Sequence, residues 1–262
     1  MLKIVSAIKN RNVFSYMLHF IFNCILAVTT VSATALTGNA ILGLFFVLMS
    51  KWRMFAVHPY HWLANISVNL VDLIVGLSFA LLALQGAGTT PDFLPVHILL
   101  IIAYIVWLTV IKRGSSLKYA ETQSLIAVFL GTNMISLLFS SNSMIFILAM
   151  FVIFYAAVKH LLLQSEEERV RFLSVLFGLI FAWIAWMMRF WLIAYGFEST
   201  GMVVSQISIV MTLMVFAIFR VYMSILKHDG KARTNEILAP VVFSVIIVMV
   251  IIFVFSKPIF NI

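Results

Sequence analysis

Of the 262 residues, 64% are apolar and 10% charged, against about 45–50% and 25% in soluble domains, which excludes a water-soluble fold. The formal charge of +8 would raise nucleic-acid binding in a soluble chain. Here the basic residues stand at the ends of apolar runs, so the expectation is anionic lipid headgroups as partners and no nucleic acid.

Connections between the runs are short, and none could bury a core of its own, so one membrane-embedded domain over 1–262 is expected. Residues 1–12 read as an interfacial lead-in, with Leu2, Ile4, Val5 and Ile8 among Lys3, Lys9 and Arg11. The apolar run that follows is too long for a cleaved leader. Val13 to Ser50 holds no charge over 38 residues, too many for one span of about 20. Thr37-Gly38-Asn39 supplies a turn inside it, predicting a helical hairpin over 13–53 whose short second arm ends at Lys51-Trp52-Arg53. Cys24 is the one cysteine, so neither an intramolecular disulfide nor a thiolate cluster is expected.

The next stretch, KWRMFAVHPYHWLANISVNLVDLIVGLSFALLAL, joins a basic cluster to an acid. Helical spacing over about 60–84 puts His61, Asn65, Asn69, Asp72 and Gly76 on one arc, opposite Ile66, Leu70, Leu73, Ile74 and Leu77. Asp72 then falls near mid-span, where a carboxylate costs at least ~2.5 kcal/mol and needs protein or water around it.

Thr90-Pro91-Asp92 reads as the start of a helix running to Lys112-Arg113. Further spans are predicted near 122–140, 143–160, 170–195, 203–226 and 237–256, with Ser165 and Glu168 as a capping box. Nine spans with the N-terminus cytoplasmic place 14 of the 17 basic residues on one side. Reading 13–50 as one long tilted helix gives eight spans and leaves 11 there. The fold expected is an all-α polytopic membrane bundle of about nine helices, eight being the alternative, in a plasma membrane of prokaryotic type.

Asp72 supports two readings. It is a proton- or ion-coupling group in a polar path lined by Asn65 and Asn69, or it locks a helix-packing seam that includes Gly76. Arg220 and Arg189 are the candidate charge partners. Lys51, Arg53, His58 and His61 fit lipid headgroup contact. A metal at His58 and His61 lacks the three or four ligands such a site needs, and the scattered His19, His97, His160 and His228 offer no haem pair. Asp229-Gly230-Lys231-Ala232-Arg233 is one residue short of the DGxxAR opening of lipid headgroup phosphotransferases and lacks the later acids of that motif. With no nucleotide loop, hydrolase elbow or metalloprotease motif present, no cofactor is expected and an enzyme acting on lipid near Lys51, Arg53, His58 and His61 ranks last. Small-solute or ion transport ranks first, and a non-catalytic assembly or accessory subunit of a membrane complex is the alternative.

Overall fold

The computed structural model of the protein describes residues 2–85, 94–165, 167–191, 193–197, 202–228 and 231–255. Among them the chain forms eleven α-helices and one two-stranded hairpin. α1 (Leu2–Thr37) ends where Gly38 takes φ +62°, a left-handed turn that a Cβ disfavours. Asn39 then caps α2 (Ala40–Ser50), its side-chain oxygen accepting from the Ile41 N–H at 2.9 Å. The two helices pack closely because Gly43 is bare: a Cβ there would overlap Thr34 Oγ1 and come within 3.0 Å of the Thr30 carbonyl oxygen.

The continuous striped helix expected over 60–84 is broken. After α3 (Trp52–Phe55) and a 3₁₀ turn at Pro59–His61, α4 (Trp62–Val68) stops at Asn69, and α5 (Leu70–Leu82) leaves at 75° to the Pro59–Val68 segment. Asn69 causes the break locally. Its Nδ2 donates to the Asn65 carbonyl at 2.9 Å, an acceptor that the helix ladder would otherwise use alone. Residues 52–68 therefore form an elbow with exposed Leu63 and with exposed Trp52 and Tyr60, the last two being residue types that favour a membrane–water boundary. Trp62 Nε1 fastens it by donating to the carbonyls of Phe55 (3.1 Å) and Val57 (2.9 Å).

α6 (Leu94–Val106) passes into a π-helical turn, Trp107–Ile111, closed by the Lys112 N–H on the Trp107 carbonyl at 2.9 Å. α7 (Leu117–Leu138) and α8 (Ser143–Gln164) follow, with Asn142 capping α8. Ser165 closes α8 instead of opening the next helix: its hydroxyl donates to the Leu162 carbonyl at 3.1 Å, and α9 (Val170–Met188) begins after Arg169. That replaces the expected capping box. The predicted helix to 195 also ends early, giving way to a 3₁₀ turn at Arg189–Trp191 and an antiparallel hairpin, β1 (Ala194–Phe197) with β2 (Met202–Ser205). α10 (Gln206–Lys227) and α11 (Thr234–Val254) complete the bundle. The readings of Thr90-Pro91-Asp92 and Asp229-Gly230 fall outside the described residues.

One buried apolar cluster runs from Ala27 and Val31 to Phe219, built on α5, α7 and α8 and centred on Tyr104, Trp107, Phe146, Phe154 and Phe181. Phe79 stacks on Tyr104 and Phe154 on Phe181, with ring centroids 4.8 and 4.9 Å apart. Outward faces stay apolar, as Phe20, Ile98, Leu179 and Phe253 illustrate. Among the described residues five helices, at 14–37, α8, α9, α10 and α11, are long and apolar enough to cross a membrane, and the bent pair ending in α5 makes a sixth if read as one span. α2 and Pro95–Ile111 are apolar but shorter. The described basic residues from Lys51 onward gather at one end of the bundle, Arg189 excepted. Arg113 lies over the Tyr16 ring, 5.3 Å from its centroid, which brings the first half of α1 to that end too.

Filling the α1–α2 contact tests this packing. Gly43→Leu is expected to destabilise the protein by about 1–3 kcal/mol, the usual cost of overpacking, read as a lowered thermal midpoint in detergent. Gly43→Leu with an unchanged midpoint would contradict the contact.

Candidate functional site

Asp72 lies in the first turn of α5, where the N-terminal end of the helix dipole favours a negative charge. The break at Asn69 moves it from the expected mid-span position to a helix end. Two further helix ends converge on it. Lys51, just past α2, ion-pairs with Asp72 Oδ2, and Lys112, just past the π-turn, reaches the same oxygen at 2.8 Å. Trp107 Nε1 donates to the other oxygen at 3.3 Å. Asp72 is 13% exposed, Lys51 7% and Lys112 40%, so one ammonium is buried with the carboxylate and the other faces outward.

Two sequence expectations are corrected here. The partners of Asp72 are lysines, and neither arginine reaches it. Arg220 contacts Glu121 through Nε at 2.9 Å, a charge contact without aligned hydrogen-bond geometry, and it also lies over the Phe216 ring. Arg189 stands at the opposite end of the bundle. Its guanidinium holds the α7–α8 turn by donating to the Ser140 and Ser141 carbonyls and to Ser143 Oγ, while Trp186 packs edge-on against Phe190. Lys51, expected to meet lipid headgroups, is buried on Asp72. Arg53, His58 and His61 remain exposed on the elbow, where His58 Nδ1 accepts from the Tyr60 N–H at 3.4 Å.

The polar stripe does not continue as one face. Asn65 belongs to the elbow, on the far side of the 75° bend from Asp72, and Asn69 stands at the bend itself, its Nδ2 donating to the Asn65 carbonyl. Gly76, one turn above Asp72, is a close-packing point: a Cβ would come 2.9 Å from Val47 Cγ1 and 3.2 Å from the Tyr104 hydroxyl. α2, α5 and α6 are thus packed tightly just above the ion cluster.

A second group of polar residues, not singled out in the sequence, lies on α7. Gln123 Nε2 donates to the Ile111 (2.6 Å) and Gly114 (3.1 Å) carbonyls that end the π-turn, and Gln123 Oε1 meets His160 Nε2 at 2.6 Å. That contact makes His160 Nε2 the donor. Ser124 Oγ donates to the Ala157 carbonyl at 2.9 Å. Near the other end, Asn133 Oδ1 accepts from the Ser205 N–H at 2.7 Å, and Asn133 Nδ2 and Gln85 Nε2 each donate to the Val203 carbonyl at 3.3 Å. These amides satisfy the outer edge of β2, which explains how so short a hairpin persists. The signal for α7 was its lower hydropathy and its run of Glu121, Gln123, Ser124, Thr132 and Asn133.

Between α8 and α9, Glu167 Oε2 accepts from the Tyr222 hydroxyl of α10 at 2.6 Å, which holds that carboxyl below its usual range. At the α10–α11 turn, Glu236 meets Lys227 (3.2 Å) and His228 (3.1 Å).

The unequal burial of the two lysines makes a prediction. Lys112→Gln is expected to cost no more than about 1 kcal/mol, because its head faces outward and Lys51 stays on the same oxygen. The midpoint of thermal unfolding in detergent measures it, and a loss of several kcal/mol would mean that both cations are required. No protein-family model matches the chain, and no characterised protein or solved structure is significantly similar to it.

Proposed function

We propose that the protein is a multi-pass, non-catalytic subunit of a membrane assembly, in which the buried polar residues fasten helices to one another and do not line a solute path. The observation that carries this reading is the occupancy of Asp72. Both carboxylate oxygens are engaged, by Lys51, Lys112 and Trp107, and the tight packing at Gly76 closes the route above them. A coupling carboxylate needs a free oxygen and a route that continues past it toward the other end of the bundle. Its engagement here speaks for the packing seam over the transport reading.

The topology belonging to this proposal has nine crossings, by α1, α2, α5 to α8, α9, α10 and α11, with the N-terminus and the basic end cytoplasmic. Short connections between successive helices and the collection of Lys51, Arg53, Lys112, Arg113, Lys118, Lys159, Arg169, Arg171, Lys227, Lys231 and Arg233 at one end support it. The single membrane-embedded domain and the prokaryotic plasma membrane remain part of the same reading.

The test separates seam from path. Asp72→Asn leaves Lys51 buried without its counter-charge and is expected to destabilise the protein by about 3–5 kcal/mol. Adding Lys51→Met removes the stranded charge and is expected to restore most of the loss, measured by thermal unfolding in detergent. Proteoliposomes loaded with a pH-sensitive dye supply the second readout, with equal proton leak expected for wild type and Asp72→Asn. A wild-type proton flux that disappears in a well-folded Asp72→Asn protein would replace the seam with the transport reading.

A further inference from the structure

At the basic end, a groove of about 590 Å³ opens between the elbow and the α8–α9 pair. Ala64, Ser67 and Val68 of α4 form one wall; Lys159 and Leu163 of α8 face them, and residues 168–172 close the end. Three cations, Lys159, Arg169 and Arg171, line it with one carboxylate, Glu168, and a second, Glu167, accepts from the Arg169 N–H at 3.4 Å while Tyr222 donates to its other oxygen. Among the described residues none of the three cations forms an ion pair within 4 Å, in contrast to Lys51, Lys112, Arg220 and Lys227. Lys159 lies over the Tyr155 ring, 5.5 Å from its centroid. Arg169 is the N-cap of the 19-residue α9 and makes no side-chain capping bond, so the first N–H groups of that helix add to the positive field.

The apolar residues of the groove continue toward the middle of the bundle. On α8, Leu148, Val152, Tyr155, Lys159 and Leu163 recur at spacings of 4, 3, 4 and 4 and share a face. On α9, Phe172, Leu176, Leu179 and Trp183 recur at 4, 3 and 4, and all are exposed, Phe172 at 65% and Trp183 at 61%. Leu148, Leu179 and Trp183 also line a second groove, of about 490 Å³, on the same helix pair. From Phe172 to Leu179 is about 10 Å at 1.5 Å per residue, within the ~15 Å of half a hydrocarbon core.

We propose that this seam is the seat of an anionic glycerophospholipid. Its phosphate rests on Lys159, Arg169 and Arg171 at the start of α9, and one acyl chain lies along Phe172, Leu176 and Leu179 toward Trp183. Charge complementarity selects the anionic headgroup, and a headgroup with hydroxyls gives Glu168 a donor. The apolar continuation selects a lipid over a free phosphate ion. Basic pockets between helices at a cytoplasmic membrane face bind such headgroups. This inference does not depend on the role of Asp72.

The experiment uses the full-length protein purified in detergent, with the thermal midpoint followed on adding phosphatidylglycerol, phosphatidylcholine or inorganic phosphate. Phosphatidylglycerol alone is expected to raise the midpoint. Lys159→Gln/Arg169→Gln/Arg171→Gln is expected to weaken that response by roughly fivefold per charge removed, while Lys231→Gln/Arg233→Gln retains it. Equal responses in the two variants, an equal effect of phosphatidylcholine, or an effect of phosphate alone would overturn the proposal. Should the triple variant fail to fold, acyl-brominated lipids decide it on the wild type. The fluorescence of Trp183, taken as the difference from Trp183→Phe, is expected to be quenched more by brominated phosphatidylglycerol than by brominated phosphatidylcholine, and equal quenching would refute the seat.

Discussion

One carboxylate shared by two ammonium groups fixes the basic end of this bundle. Asp72 opens α5, Lys51 follows α2 and Lys112 follows the π-turn after α6, so a single cluster sets the relative depth of three helices. The contact also closes a loop in the chain. Everything between Lys51 and Asp72 leaves that point and returns to it, so the elbow at 52–68 is anchored at its base by the ion pair. The elbow in turn supplies Ala64, Ser67 and Val68 to the groove that faces Lys159 and Arg171. A change at Asp72 therefore reaches that groove through backbone that touches neither charge directly.

Polarity inside the bundle is graded by depth. Charged contacts, Asp72 with its lysines and Glu121 with Arg220, stand at the basic end, where water and headgroups lower the cost of an ion. Toward the other end the fastenings are neutral amides, Gln85 and Asn133 on β2, with Arg189 bound to carbonyls and a hydroxyl. At either end some hydroxyls turn back on their own helix: Thr132 donates to the Val128 carbonyl at 2.6 Å, Ser174 to Val170 at 2.6 Å and Thr34 to Thr30 at 3.1 Å. Such bonds satisfy a polar group without calling on another helix. α7 carries polar residues at both ends and so meets most of its neighbours through directed contacts, which is why the least apolar long helix occupies the middle.

Composition and the length of the apolar runs made an all-α membrane protein legible, and Thr37-Gly38-Asn39 marked the first turn because only a residue without Cβ takes φ +62° cheaply. Periodicity failed over 60–84 for an identifiable reason. It records which residues would share a face if the helix continued, and it is blind to a side chain such as Asn69 that competes for the ladder. The hairpin at 194–205 was invisible because its outer edge is satisfied by Asn133 and Gln85, residues 70 and 118 positions away. Asp72 itself was found by cost alone, as a carboxylate in apolar sequence, and cost says that a partner exists without naming it.

Depth and geometry explain why lysines fill that role. Arg189 lies at the far end, and its planar fork suits the separated acceptors of the turn at 140–143. Arg220 stands at the correct end but is engaged by Glu121. A single oxygen of Asp72 receives two cations from different helix ends, which calls for compact charges on flexible stems. Two ammonium groups on one carboxylate leave a surplus positive charge, and the 40% exposure of Lys112 puts that surplus at the surface. The buried part of the cluster is therefore neutral, a lysine and an aspartate together, and the unbalanced charge is carried where the solvent or a headgroup can meet it.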